Sequence, residues 1–313
     1  MSIRISVVIC TYNRSEMLAG CLPSLYEQTC DLSQYEIIVI DNNSTDKTCM
    51  IVDKFLGYPN FRYYFEERPG LSNARNKGIA VAQGSYIAFF DDDVIVPPDF
   101  ISTAIGLIDS SLLHLDGLGG PLFPFYTTPK PDWFEDQYAI QMGKKGEPYY
   151  LEPGQSFIGA NMVWNRELLI LIGGFRVDLG YIGDVEYLGE ETDAFIRAWQ
   201  LKPSACFLNS PDLSVKHWQP PKKMTLSNRM RRNFNIGLSR YKISDPRTPR
   251  FKMAYFFQNL YNFLKGNIRA VLNFWKYHYW QKWVFCEWSP LLIYLGEACG
   301  VMGLKQSGKI SKR

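Results

Sequence analysis

The sequence predicts an α/β fold in which a mostly parallel, Rossmann-like sheet is flanked by helices. Short apolar runs rich in β-branched residues alternate with segments of helical spacing over roughly the first 100 residues. Polar residues of the kinds that end strands and begin helices separate the two kinds of segment. This alternation is typical of right-handed βαβ units, whose strands are parallel.

The first two units have the same form. ISVVIC (5–10) is the first predicted strand, and Ser15 begins a helix within 11–28. YEIIVIDNNSTD (35–46) holds a second strand that ends in an acid, and a helix is predicted over 46–56. Two strands therefore lead into polar turns.

The next two units repeat the pattern. FRYYFEE (61–67) is the third predicted strand, and LSNARNKGIAVAQG (71–84) is a helix that ends at Gly84. SYIAFF (85–90) is the fourth strand, followed by a helix over 97–112. Since ligands bind beyond the carboxyl ends of parallel strands, the residues after each strand are candidates for a site.

The second half of the chain has no such rhythm. SFIGANMVWN (156–165) is strand-like, 173–193 is a long glycine- and acid-rich loop, and 190–201 is helical. From residue 222 onward the chain is basic and helical, with aromatic residues interleaved. We therefore divide the chain into the segments 1–115, 116–242 and 243–313, the last a basic helical extension.

Charge is distributed unevenly. Residues 1–215 carry 15 Lys and Arg against 28 Asp and Glu, a net charge of −13, whereas residues 216–313 carry 19 against 3, a net charge of +16. The basic stretch 222–242 has no nucleic-acid-binding motif, so no nucleic acid is expected as a partner. Basic and aromatic residues interleave through 229–288, which predicts peripheral membrane contact through the C-terminal region. An ordinary pair of solvated helices is the alternative.

The cysteines and the longest apolar segment of the sequence bear on where in the cell the protein is located. Seven scattered cysteines form no CxxC pair, as expected for reduced thiols. The start of the chain resembles a strand rather than a signal peptide. The most apolar long window, 283–304, is interrupted by Glu287, Pro290 and Glu297. We expect a cytoplasmic protein, peripheral at the inner face of the membrane.

Three consecutive aspartates, Asp91 to Asp93, follow the fourth strand. Desolvation and mutual repulsion would raise their pKa values unless a cation or strong donors compensate. Clustered carboxylates suit a hard cation, and Mg²⁺ or Mn²⁺ also accepts phosphate oxygens as ligands. The sequence therefore favours a metal–diphosphate site, with a solvated turn as the alternative.

Other strand ends and a helix supply candidate partners for these acids. Asp41 is placed to bind a nucleobase or ribose, although an Asx turn or a helix cap would explain it equally. Thr11 and Tyr12 would flank the same base. Arg75 is a candidate to bind a diphosphate, and the alternative is that it lies on a solvent-exposed face of its helix.

Two candidates come from the second half of the chain. In GEETD (189–193), Glu191 is a candidate general base, although acids also stabilise a helix N-terminus. His217 is a candidate metal ligand, although a lone histidine is more often structural.

These motifs, taken in order, resemble the family 2 glycosyltransferases, which have the GT-A fold. The similar segments are SVVICTYNR, VIDNNSTD, GLSNARNKG, AFFDDDV, GANMVWNRELLILIGGF and GEETDAFIRA, spanning about residues 3–200. The resemblance implies a nucleotide-sugar-binding half (1–115) and an acceptor-binding, catalytic half (116–242). No QxxRW sequence is present, so a processive polysaccharide synthase is not expected.

The resemblance also implies roles for particular residues. Asp93 would bind Mn²⁺ or Mg²⁺ with His217, and Glu191 would be the catalytic base, although the family usually has Asp at that position. Glu190 and Asp193 would contact the acceptor. Eight residues are expected to bind the donor, with Asp91 near the ribose: Thr11, Tyr12, Asn13, Arg14, Asp41, Arg75, Asp91 and Asp92.

The function implied is an inverting transfer of a sugar from a nucleotide-diphosphate sugar, a UDP-sugar being favoured. The acceptor would be a saccharide or a lipid-linked acceptor in surface or extracellular polysaccharide synthesis. Three alternatives remain open at this point. A HAD-type phosphatase also has DxD after an apolar strand, but usually Thr or Val where this chain has Ile95. A nucleotide-sugar pyrophosphorylase would need a glycine-rich signature after the first strand, and a non-catalytic sugar-nucleotide-binding protein would share the pocket.

Overall fold

The computed structural model describes residues 3–142, 146–182, 185–244 and 249–304. The chain forms two compact units: unit 1 comprises 1–125, 139–177 and 191–218, and unit 2 comprises 126–138, 178–190 and 219–313. These units interleave along the sequence, and the functional division at residues 115 and 242 stays a prediction.

Unit 1 is a mixed α/β structure. Its strands are β1 (Ile5–Thr11), β2 (Tyr35–Asp41), β3 (Phe61–Phe65), β4 (Tyr86–Asp91), β5 (Val94–Ile95), β6 (Gly117–Gly119), β7 (Leu122–Phe125), β8 (Tyr149–Tyr150), β9 (Asn161–Asn165), β12 (Phe207–Asn209) and β13 (Val215–Trp218). Its helices are α1 (Ser15–Tyr26), α2 (Thr48–Val52), α3 (Leu71–Val81), α4 (Phe100–Ser110), α5 (Arg166–Leu171) and α6 (Glu190–Leu201).

The main sheet has eight strands in the order β3-β2-β1-β4-β9-β6-β12-β8. β1, β2, β3 and β4 are mutually parallel, as predicted, whereas β9 pairs antiparallel with both β4 and β6. The predicted mostly parallel α/β fold is therefore confirmed. A second sheet, β5-β13-β7, holds β13 antiparallel to β5.

Helices cover both faces of this sheet, which explains why the central strands are apolar without alternation. Ile5, Val7 and Ile9 of β1 belong to a core cluster with side chains of α1 and α4. Val8 of the same strand belongs to a second cluster, with side chains of α3, α5 and α6. The alternation along one strand thus fills two separate cores.

The register of the central strands brings the polar strand ends together. Thr11 is paired with Asp41 across β1 and β2, and Cys10 is paired with Asp91 across β1 and β4. Adjacent strands lie about 4.8 Å apart. The predicted convergence of these ends at one edge of the sheet is therefore confirmed.

Two local predictions differ from the structure. The helix expected over 46–56 is shorter in the structure, where α2 has only five residues. After α2 the chain continues as turns, and in these turns Phe55 stacks on Tyr26. The region expected to be a loop over 173–193 contains a hairpin of β10 (Gly180–Ile182) and β11 (Val185–Tyr187). Short strands of three residues carry too little alternation to be seen in sequence.

Unit 2 contains that hairpin and a group of helices. Its helices are α7 (Leu226–Ser244), α8 (Pro249–Leu272), α9 (Trp280–Trp283) and α10 (Leu291–Val301), and a π-helical turn covers Val284–Trp288. α7 and α10 approach at Gly237, where a Cβ atom would lie 2.1 Å from the carbonyl oxygen of Ile293. Among the residues described, no helix combines the length and the apolar character that crossing a bilayer requires.

Candidate functional site

The three aspartates lie at the end of β4, where the chain turns before β5. Their exposure differs: the Asp91 side chain is 35% exposed, whereas those of Asp92 and Asp93 are 2% and 3% exposed. Two neighbouring carboxylates are thus buried, which requires compensating donors or cations.

Asp92 is compensated from β1 and the turn after it. The Thr11 hydroxyl donates a hydrogen bond of 2.7 Å to Oδ2, and Nη1 of Arg14 lies 2.8 Å from Oδ1. Burial raises the pKa of the Asp92 carboxyl to about 7, with Asp93 and Asp91 acting in the same direction and Arg14 and Thr11 opposing them. Asp92 therefore titrates near neutral pH.

Asp93 is contacted from two sides. Nη2 of Arg14 donates a hydrogen bond of 2.6 Å to its Oδ2, and Nε2 of His217 lies 3.2 Å from its Oδ1. The imidazole is carried there by β13, in which His217 pairs with Val94 and the Trp218 amide donates to the Asp93 carbonyl. Although burial acts to lower the pKa of Arg14, the charges of Asp92 and Asp93 outweigh it and raise that pKa.

Asp91, Asp93 and His217 form a cluster suited to a metal ion. One ligand atom from each lies within 4.8 Å of the others. Two carboxylate oxygens and an imidazole nitrogen are a donor set that Mn²⁺ accepts, and carboxylates also suit Mg²⁺. The donors present therefore fit the predicted divalent cation. Asp91, expected near the ribose, lies in this cluster, whereas Asp92 is turned toward Thr11 and Arg14.

Arg75 reaches the same acids from α3. It is buried, and its Nη2 lies 3.7 Å from Oδ1 of Asp91 and donates to the Gly159 carbonyl at 3.2 Å. Its guanidinium carbon is 5.4 Å from the centre of the Phe175 ring. A Cβ atom on Gly159 would lie 2.6 Å from that Nη2, so the glycine makes room for the guanidinium. Arg75 therefore lies at the strand ends rather than on a solvated face.

The turns after β1 and β2 are bound to each other. Asp41 accepts hydrogen bonds from the Ser44 amide at 2.8 Å and from the Tyr63 hydroxyl at 3.0 Å. Asn13, in a left-handed conformation with φ of 51°, accepts a 2.7 Å bond from the Thr45 amide. The Asp41 carboxylate thus caps a backbone amide three residues further along the chain, and its role toward a base stays a prediction.

Tyr12 lies between Thr11 and Asn13, directly after β1. Its side chain is 42% exposed, the arrangement expected of an aromatic ring available to stack on a ligand.

Two supporting residues are not predicted by the sequence. Asn42 is buried and ties three segments, because its Nδ2 donates to the Glu66 and Arg68 carbonyls and its Oδ1 accepts from the Gly70 amide. The pair of asparagines after Asp41 was the available signal.

Asn76 is the other. It makes two hydrogen bonds of 2.8 Å with the Phe175 backbone, one to the amide and one to the carbonyl. Its place directly after Arg75 in "NARNKG" gave no hint of this partner.

The predicted acceptor residues lie on α6. Asp193 holds two arginines, with Nη1 of Arg176 at 3.2 Å and Nε of Arg197 at 2.7 Å. Nη2 of Arg197 also donates to the Gly174 carbonyl at 2.7 Å, so Asp193 organises the segment before β10. Glu190 begins α6 and is buried.

Glu191, the predicted base, is partly buried in the first turn of the same helix. Its neighbour Thr192 has its hydroxyl 3.4 Å from that of Ser156. The catalytic role of Glu191 and the acceptor roles of Glu190 and Asp193 remain predictions.

Comparison with known proteins finds glycosyltransferases that are similar to this chain. A glucosyl-dolichyl phosphate glucuronosyltransferase of Haloferax volcanii is 26% identical over 204 residues, 63% of this chain and 64% of that protein. The EpsH protein of Bacillus subtilis, described as a glycosyltransferase, is 36% identical over 248 residues, 76% of this chain and 67% of that protein. This chain thus spans about two thirds of the length of either relative.

A solved structure shares the fold. The mannosyltransferase PcManGT of Pyrobaculum calidifontis, solved with GDP-Man and Mn²⁺, aligns over 98% of this chain and 77% of its own, with a TM-score of 0.58 and 17% identity. This likeness supports the GT-A fold. The model of the glycosyl transferase family 2 matches residues 6–169, more than half of the chain, and includes the strand ends with Thr11, Asp41 and the three aspartates. The chain therefore belongs to glycosyl transferase family 2.

Proposed function

We propose that this protein is a metal-dependent, inverting glycosyltransferase that moves a sugar from a nucleotide-diphosphate sugar to an acceptor hydroxyl. The observation that carries the proposal is the cluster of Asp91, Asp93 and His217 at the carboxyl edge of the parallel strands. Ligands of such sheets bind at this edge, and the chain belongs to a glycosyltransferase family.

The donor would be bound by the residues that surround this edge. Tyr12 and Asp41, at the ends of β1 and β2, would contact the base, with a UDP-sugar favoured. Arg75 would face the diphosphate, since its guanidinium already lies 3.7 Å from Asp91. Binding the two phosphates between fixed cationic groups would orient the anomeric carbon for attack.

Asp91, Asp93 and His217 would hold Mn²⁺ or Mg²⁺, which supplies positive charge to the diphosphate leaving group when bound. Glu191 would accept the proton of the acceptor hydroxyl. The acceptor oxygen then forms a bond to the anomeric carbon while the bond from that carbon to the diphosphate oxygen breaks, and the leaving group keeps the electron pair. Direct displacement of this kind inverts the anomeric carbon.

The acceptor would be a saccharide or a lipid-linked sugar used in surface or extracellular polysaccharide synthesis. The name of the Haloferax relative includes glucosyl-dolichyl phosphate, a lipid-linked sugar, which favours the second class. Glu190 and Asp193 would contact this acceptor. A cytoplasmic position, peripheral at the inner face of the membrane, would suit it.

Donor turnover with and without metal tests the proposal. A UDP-sugar with Mn²⁺ should raise the melting temperature of the wild-type protein. The wild-type protein should also release the nucleotide from that donor, and a chelator should abolish the release. GDP-mannose tests the choice of base. Asp93→Ala should lose the metal-dependent turnover, whereas Asp109→Ala, an exposed acid on α4, should retain it. Full turnover in chelator would contradict the proposed metal role.

The role of Glu191 needs a separate measurement. Glu191→Gln should bind the donor with unchanged affinity and lose transfer, because glutamine cannot accept the proton. Unchanged transfer would remove Glu191 from that role. Nucleotide binding without any turnover by wild-type protein, over a broad set of acceptors, would favour the non-catalytic alternative.

A further inference from the structure

One face of α8 carries a continuous row of exposed apolar side chains. Six residues spaced by three or four positions form this row, which we call the α8 stripe: Met253, Phe257, Tyr261, Leu264, Ile268 and Val271. Each is between 52% and 68% exposed. With 3.6 residues per turn, this spacing places all six on one side of the helix, over a length of about 27 Å.

The opposite side of α8 is packed within unit 2. Asn259 and Ala270 are buried, and a Cβ atom on Gly266 would lie 2.3 Å from the Leu291 side chain of α10. The Tyr255 hydroxyl donates a 2.8 Å hydrogen bond to Glu297 of α10. The helix is therefore held by one face while the α8 stripe points away from its partner helix. Isolated exposed apolar residues are ordinary, but a continuous row marks an interaction site.

Charge and aromatic residues beside the stripe indicate the chemistry of the partner. Lys265 and Arg269 are exposed on the same helix, and Trp275 and Trp280 follow it with 79% and 56% exposure. Residues 243–313 contain 11 Lys and Arg against 3 Asp and Glu, a net charge of +8. An apolar stripe flanked by cations and tryptophans suits the headgroup region of an anionic bilayer.

We propose that α8 lies flat on an anionic membrane surface, with the α8 stripe inserted at the boundary between headgroups and acyl chains and with Lys265 and Arg269 at the phosphates. A second copy of this chain is the less favourable occupant, because pairing two such faces would bring like charges together. None of the stripe residues is among the predicted donor-binding residues, so the inference does not depend on the proposed chemistry.

Vesicle sedimentation tests the surface directly. Wild-type protein should sediment with vesicles of phosphatidylcholine and phosphatidylglycerol and much less with phosphatidylcholine alone. The triple variant Phe257→Ser, Leu264→Ser, Ile268→Ser should partition at least about tenfold more weakly, since three apolar groups no longer insert. The matched control is Leu56→Ser, Leu112→Ser, Leu171→Ser, which changes three exposed leucines of unit 1 and should bind as the wild type does.

Two further measurements distinguish membrane insertion from misfolding of the variant and from self-association. Donor turnover and circular dichroism of the stripe variant should match the wild type, because no donor-site residue is changed. Lys265→Gln with Arg269→Gln should reduce the preference for anionic vesicles. Equal sedimentation of the stripe variant and wild type, or equal binding to neutral and anionic vesicles, would overturn the proposal. The proposal would also be overturned if wild-type protein were a dimer in analytical ultracentrifugation, the stripe variant were a monomer, and the wild-type dimer did not bind vesicles.

Discussion

Replacing Arg14 with glutamine would remove the guanidinium that lies between two buried carboxylates. Nη1 is 2.8 Å from Asp92 and Nη2 is 2.6 Å from Asp93, and both acids are almost fully buried. Glutamine keeps a hydrogen-bond donor but loses the charge, and its side chain is shorter than that of arginine. The change therefore tests whether this cation maintains the folded form of the acidic turn.

The size of the effect follows from burial. Removing one partner of a fully buried ion pair costs about 3–5 kcal/mol, because the other charge is left uncompensated. The Arg14 side chain is 41% exposed, so water screens its interactions and the cost falls to about 2 kcal/mol at pH 8. Near pH 5.5 Asp92, with its pKa raised to about 7, is protonated already, and the cost should be smaller.

Urea unfolding of wild-type and variant protein at the two pH values measures this cost. Arg4→Gln is the matched control, because Arg4 pairs with the exposed Asp109 and its removal should cost less than about 1 kcal/mol. Mn²⁺ should stabilise the Arg14 variant more than the wild type, since a like charge beside the cluster is gone. Equal losses in the two variants, or a larger loss at pH 5.5, would refute the reasoning.

Three other substitutions test separate contacts of unit 1. Because the pKa of Asp92 is raised on folding, wild-type stability should fall as pH rises from about 4 to 7, and Asp92→Asn should weaken that dependence in urea unfolding. Gly120→Ala should cost about 1–3 kcal/mol in thermal unfolding, since its Cβ would lie 2.2 Å from the Leu213 carbonyl oxygen, whereas Gly20→Ala should not destabilise. Asn76→Ala should cost about 2 kcal/mol in the same assay by removing its two bonds to Phe175; no loss would show those bonds to be dispensable.

The sequence predicts the centre of the sheet well, because β1, β2 and β4 are apolar runs bounded by polar strand ends. It places Asp41 and Asp91 at one edge, since parallel strands leave no other arrangement for their carboxyl ends. The eight-strand order, with β9 inserted antiparallel between β4 and β6, is a matter of long-range pairing that a local pattern does not contain.

The proximity of His217 to Asp93 has the same origin. Their contact depends on the pairing of β13 with β5, between residues more than a hundred positions apart in the sequence. The residue type suggested a ligand, but nothing near His217 in the sequence indicates which acid it meets. The hydrogen bonds of Asn42 and Asn76 are not predicted for a related reason. The sequence around an amide side chain in a turn or helix does not indicate which distant backbone groups it will bond.

The three consecutive aspartates differ in role because of how the chain leaves the strand. Asp91 is the last residue of β4, whereas Asp92 and Asp93 lie in the turn before β5. Asp91 and Asp93 contribute to one cluster with His217, while Asp92 meets Thr11 and Arg14. Asp92 is thus paired with Arg14 and is not one of the three clustered residues, and its role in donor binding stays a prediction. Accordingly, Asp92→Asn should shift the pH dependence of stability and leave Mn²⁺ binding largely intact. Asp93→Ala should weaken Mn²⁺ binding, and it should also lower the pKa of Asp92, because the charge of Asp93 helps to raise that pKa. Loss of Mn²⁺ binding in one variant and not in the other would not arise if the three acids were an undifferentiated solvated turn.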